Sequence, residues 1–115
     1  MSDGRADLEQ RLAALNAAFA EKLDGRLGEL EEAARSLAES GGDPQALRRL
    51  RDQAHKLSGA GATFGFADLG RDAGELEVLC ESVLDRGDGP SRGDIEEIAA
   101  FLARLKTAAG PPKGA

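Results

Sequence analysis

The chain has 115 residues, 41% hydrophobic and 31% charged, which fits one globular domain with a single core and leaves no room for a second. Aromatic residues make up 3%, with no Trp or Tyr, so the core must be built from Leu and Ala, a composition suited to packed helices rather than to sheets. A net charge of −6 and a pI near 4.8 argue against nucleic acid, whose binding needs a basic face to neutralise phosphates, and against an anionic membrane surface.

Residues 1–4 read as a flexible N-terminus. From there Leu8, Leu12, Leu15, Phe19 and Leu23 recur at steps of four, three, four and four, which predicts an amphipathic helix over about 5–22. Gly25 and Gly28 interrupt a pattern that continues through Leu27, Leu30, Ala34 and Leu37, giving a second helix over about 26–39 that is either bent from the first or nearly continuous with it. Ser40-Gly41-Gly42-Asp43-Pro44 is a break, with glycine for the preceding C-terminus, Asp43 as N-cap and Pro44 at the first helical position.

The next helix runs from there to about Ala62 with Leu47, Leu50, Ala54 and Leu57 on its apolar stripe. Gly65 can end it with a positive φ, and Phe64 and Phe66 are expected to plug that end of the core. Leu69, Ala73, Leu76, Cys80 and Val83 mark a helix over about 67–86, widened by Val78, Leu79 and Leu84, with Glu75, Glu77 and Glu81 on its solvated faces. After Gly87-Asp88-Gly89-Pro90, Ser91 and Asp94 form a capping box for a last helix carrying Ile95, Ile98, Leu102 and Leu105 and ending by Ala109. Residues 110–115, rich in Gly and Pro, read as a disordered C-terminal tail. The expected architecture is all-α: an antiparallel up-and-down four-helix bundle over residues 5–109 with an additional N-terminal helix. Enough helices lie in one chain for the bundle to be monomeric.

Chemistry concentrates in one stretch, Gln53 to Phe66, which holds the only histidine. Winding at about 100° per residue places His55 roughly 140° from the centre of the apolar stripe, so it points to water. Ser58, Gly59 and Ala62 share its side of the helix in the turns that follow, and all are small. Gly59 costs about 1 kcal/mol of helix propensity relative to Ala, and the clearance it leaves lets another molecule approach the imidazole. An exposed imidazole keeps a lone pair on one ring nitrogen at physiological pH and is a competent nucleophile. Arg51 at i−4 and Lys56 next in sequence can balance the charge of an incoming phosphoryl group, offset in part by Asp52. Phe66 is a candidate for partial exposure and docking near the histidine.

His55, Leu57, Gly59, Gly65, Leu69, Leu76 and Glu77 together resemble the signature of histidine phosphotransfer (HPt) domains, and Ala-His-Lys-Leu-Ser-Gly-Ala-Gly-Ala-Thr-Phe-Gly-Phe is similar to the form in many bacterial, stand-alone members. Two positions depart from the pattern. Ser58 stands where many members carry Lys, and Ala73 stands where a Cys is frequent. The resemblance implies that His55 is the phosphoacceptor, taking a phosphoryl group from a receiver-domain aspartyl phosphate or a hybrid histidine kinase and passing it to another receiver aspartate. It implies no cofactor of the chain's own, the Mg2+ belonging to the receiver.

Other features bound the reading. One His and one Cys without clustered ligands point to no metal site, and the lone Cys80 reads as a small core residue. The first twenty residues contain Asp3, Asp7 and Glu9 with no uninterrupted apolar run, so a signal peptide, membrane span or membrane partner is not expected and the address is cytoplasmic. No phosphate-binding glycine loop suggests ATP use. Two other classes remain open: a non-catalytic helical adaptor that binds a receiver or kinase through the His55 face, and the dimerising phosphoacceptor module of a histidine kinase.

Overall fold

A computed structural model describes residues 3–110 as four helices: α1 (Asp3–Glu39), α2 (Pro44–Thr63), α3 (Ala67–Arg86) and α4 (Arg92–Ala109). α1 packs on α2 and α4, and α3 packs on the same two, closing a four-helix bundle. No described helix is long and apolar enough to cross a membrane.

The additional N-terminal helix does not exist as a separate element. The two segments expected over 5–22 and 26–39 are one helix of 37 residues, and Asp3 and Gly4, expected to be flexible, already belong to it. Met1, Ser2 and residues 111–115 of the expected tail lie outside the described residues. The reason for continuity is packing. Gly25 and Gly28 each cost about 1 kcal/mol of propensity, but both are exposed, while Leu23, Leu27 and Leu30 on the other face are 3%, 7% and 0% exposed. Burying those leucines, at about 1.5–3 kcal/mol each, outweighs the glycines.

The remaining boundaries follow local signals. Asp43 accepts from the Gln45 N–H and Pro44 takes the first turn of α2. Gly65 follows α2 with φ +84°, a conformation that L side chains adopt only under strain. Ser91 and Asp94 exchange both bonds of the capping box at the start of α4. The Asp94 carboxylate also accepts from the Arg86 guanidinium at the end of α3, tying the α3–α4 corner together.

The core is aliphatic along its length, with Leu37, Leu50, Leu69, Leu76, Cys80, Val83 and Leu105 fully buried. Val78, expected to widen the α3 stripe, instead faces solvent, whereas Leu79 and Leu84 pack against the core half-buried. One end is closed by aromatic rings: Phe19 of α1 stacks on Phe64 and meets Phe66 edge-on, both at 5.3 Å between centroids. Residues of α1 before this cluster have nothing to pack on. At 1.5 Å per residue α1 is about 55 Å long against about 30 Å for α2 and α3, which accounts for a longest dimension of 60 Å.

Candidate functional site

The site is assembled where α2 and α3 come closest. A Cβ placed on Gly61 would lie 2.9 Å from the Gly70 nitrogen, and one on Gly70 would lie 3.0 Å from both the Ser58 carbonyl and the Ala62 nitrogen. One turn further along, a Cβ on Gly74 would meet the Ser58 hydroxyl at 3.2 Å. Backbone therefore approaches backbone at 61/70, and the antiparallel ladder continues through 58/74 to 55/77. At that last rung the imidazole Nδ1 of His55 lies 2.8 Å from the Oε2 of Glu77.

This contact decides the chemistry of the ring. An ionised carboxylate only accepts hydrogen bonds, so in the neutral imidazole this contact selects the tautomer that donates from Nδ1 and leaves the lone pair on Nε2. The imidazole is 72% exposed whereas the Glu77 side chain is 20% exposed, so the carboxylate acts as a fixed support and the ring projects beyond it. Such an arrangement presents a nucleophilic nitrogen of defined tautomer to anything that docks on the α2 face.

The structure places the expected residues unevenly around His55. Ser58, Gly59 and Ala62 follow it along one row of α2, Gly59 with open space where a side chain would be and Ser58 half-buried against Gly74. Thr63 returns its hydroxyl to the Gly59 carbonyl at 2.9 Å, holding the last turn. Arg51 lies one turn before the ring and is engaged by Asp52, with bonds of 3.1 Å from Nε and 3.0 Å from the terminal nitrogen to Oδ1. Lys56 is turned about 100° away and lines a groove towards α1 with Lys22, Arg26 and Gln53. Phe66 is partly exposed and meets Phe19 edge-on in the aromatic cluster that closes the end of the core.

Glu77 is a correction to the reading of α3. The sequence puts it on a solvated face, but that face is turned to α2 because Gly70 and Gly74 let the helices close. The available signal was the spacing itself, since Gly70, Gly74 and Glu77 at i, i+4 and i+7 share one side of α3, as His55, Ser58 and Ala62 share one side of α2.

Beneath the site, Cys80 is fully buried and desolvation pushes its thiol up to about 12, against a smaller opposing effect of the Arg51 charge. It is a core residue, as expected, and not a nucleophile.

A four-helix bundle that holds one exposed histidine against a carboxylate on the adjacent helix is a small helical module organised around a single imidazole. The family profile described as the Hpt domain matches residues 5–108, and the chain belongs to that family. Histidine phosphotransfer within a phosphorelay is the work of such domains, which interact there with receiver domains and kinases. No curated protein and no solved structure matched the chain.

Proposed function

We propose that this protein is a phosphohistidine carrier in which His55 Nε2 accepts a phosphoryl group and returns it to a receiver-domain aspartate. The observation that carries the reading is the 2.8 Å contact between His55 Nδ1 and Glu77 Oε2 beneath a mostly exposed ring. In-line attack by Nε2 on an aspartyl phosphate forms the N–P bond while the P–O bond to the aspartyl carboxylate breaks, and that carboxylate is the leaving group. The ring becomes cationic as the bond forms. Its Nδ1 proton stays on the nitrogen, and Glu77 balances the developing charge at hydrogen-bond distance. Transfer to the next receiver is the same step in reverse.

Arg51 and Lys56 flank the ring, one on its own row and one on the row facing α1, and are the cations available to the phosphoryl group where Ser58 stands in place of the usual family Lys. The open space over Gly59 and Ala62 admits the acidic pocket of a receiver, which brings the Mg2+. The carrier works in the cytoplasm with response-regulator receivers, a hybrid kinase, or both.

The test is incubation with a phosphorylated receiver and Mg2+, scoring acid-labile, alkali-stable phosphate on the chain. Label is expected on the wild type and not on His55→Gln. Absence of label with several competent receivers, or equal label on the variant, overturns the carrier reading and leaves the adaptor.

A further inference from the structure

Of the two cations beside the imidazole, Arg51 shares its side of α2, and the guanidinium is already occupied. Arg51 and Asp52 stand four and three residues before His55, so both lie one turn from it on the helix surface. The Arg51 Nε and Nη2 donate to the same oxygen of Asp52, Oδ1, at 3.1 Å and 3.0 Å. Those two nitrogens form an edge with which a guanidinium grips two oxygens of a phosphoryl group. We propose that Asp52 is a positioning residue that holds this edge while His55 is bare and competes with the phosphoryl group for it, making the loaded histidine easier to discharge. The inference rests on His55 being the phosphoacceptor.

The surroundings of Arg51 single out Asp52. The ladder that pairs 58 with 74 and 55 with 77 sets 51 opposite 81 one turn on. The charges of Arg51, Glu77 and Glu81 all act on the Cys80 thiol, which gathers them at one point of the α2–α3 seam. Carboxylates of both helices thus surround the guanidinium, yet its bonds go to Asp52 and not to Glu81. Arg51 is half-buried and Asp52 is exposed. The aspartate can therefore turn out to water while the guanidinium stays beside the ring.

A phosphoryl group on Nε2 brings up to about two negative charges to this row of the helix. It draws the Arg51 edge to its own oxygens and leaves Asp52 as an unpaired carboxylate three residues away. The lost pairing and the like-charge repulsion both count against the loaded state. Arg51 without Asp52 would favour retention of the phosphate. With Asp52 beside it, the site gives the phosphate up more readily, which suits a carrier that must pass it on.

Phosphoramidate tests this without a partner protein, so the outcome is separate from success or failure of transfer with a receiver. His55 Nε2 attacks the phosphorus, the P–N bond of the reagent breaks and ammonia leaves. After removal of the reagent, water attacks the phosphorus, the bond to Nε2 breaks and the imidazole recovers its lone pair. Intact-protein mass follows both steps on the full chain. The pair is partly solvated, so Asp52→Asn is expected to load about threefold faster than the wild type and to lose its phosphate about threefold more slowly. Arg51→Ala should load more slowly than the wild type, and adding Asp52→Asn to it should give little further gain. Melting midpoints followed by circular dichroism should stay close to the wild-type value, because neither side chain is in the core. Asp52→Asn that loads no faster than the wild type overturns the proposal, as does a change of loading and loss in the same direction. An equal acceleration in the Arg51→Ala background also overturns it, since Asp52 would then act by repulsion alone.

Discussion

Glu77 is the residue whose role depends most on its neighbour. Its carboxylate holds a proton on His55 Nδ1 by a 2.8 Å contact, and the ring it supports is mostly in water, so solvent screens much of the attraction. The effect expected of removing the charge is therefore moderate. Glu77→Gln, which keeps an acceptor oxygen but no charge, should slow phosphotransfer from a receiver about tenfold, equivalent to about 1.4 kcal/mol of transition-state stabilisation. Single-turnover kinetics would read this directly, and a wild-type rate would remove Glu77 from the mechanism. The histidine itself was legible in the sequence because one imidazole on the polar side of an amphipathic helix has few alternatives. Its carboxylate partner was not, because a glutamate on a helix reads as solvated until the approach of the next helix is known.

At the scale of helices, the glycines of α2 and α3 divide into two kinds that the sequence does not distinguish. Gly61 and Gly70 touch backbone across the helix crossing, whereas Gly59 meets nothing within 4 Å. Gly70→Ala should thus destabilise the fold by about 1–3 kcal/mol through overpacking. Gly59→Ala should stabilise it by up to about 1 kcal/mol through propensity while slowing transfer from a receiver that must close over that position. Denaturant midpoints together with transfer rates separate the two cases, and a Gly59→Ala protein that transfers at the wild-type rate would remove the clearance argument. The α3–α4 corner gives a prediction in pH. The Ser91 backbone N–H first, and then the Arg86 guanidinium, hold the Asp94 carboxyl below the usual carboxylate range. A depressed native pKa means that the unfolded chain binds a proton more readily, so this stabilisation is complete above the ordinary carboxylate range and is lost as pH falls through the native value. Asp94→Asn should be less stable than the wild type at neutral pH, and the difference between them should shrink below about pH 4. A difference that stays constant down to pH 2 would mean that the carboxylate charge is irrelevant there. Caps such as this one and Asp43-Pro44 were readable because they obey rules spanning three or four residues. The Gly25–Gly28 stretch left a bent and a continuous helix equally open because burial of leucines on the opposite face is a tertiary effect.

At the scale of the whole molecule there are two regions of unequal burial, although the sequence repeats one apolar pattern across both. Leu8, Leu12 and Leu15 are indistinguishable by spacing from Leu23, Leu27 and Leu30, yet the first three are half-exposed and the second three are buried. Periodicity reports that a face seeks a partner, and only the lengths of the other helices decide where partners run out. α2 and α3, each 20 residues, end level with Phe19, where Phe64 and Phe66 close the core. The boundary between bundle and extension is consequently set by an aromatic cluster and not by any break in α1. Removing residues before Asn16 should leave the bundle's stability at low protein concentration within about 0.5 kcal/mol of the full chain, because the exposed residues lost pack on nothing in the bundle. In the full chain the amides of residues 5–15 should exchange with solvent far faster than those of residues 23–37, since opening the extension exposes no core. A cooperative loss of both regions at one denaturant concentration, or destabilisation of the shortened chain by several kcal/mol, would show that the extension folds back on the bundle in solution. The expected outcome instead is a helix whose first four turns are anchored only by continuity with a core that begins at Phe19.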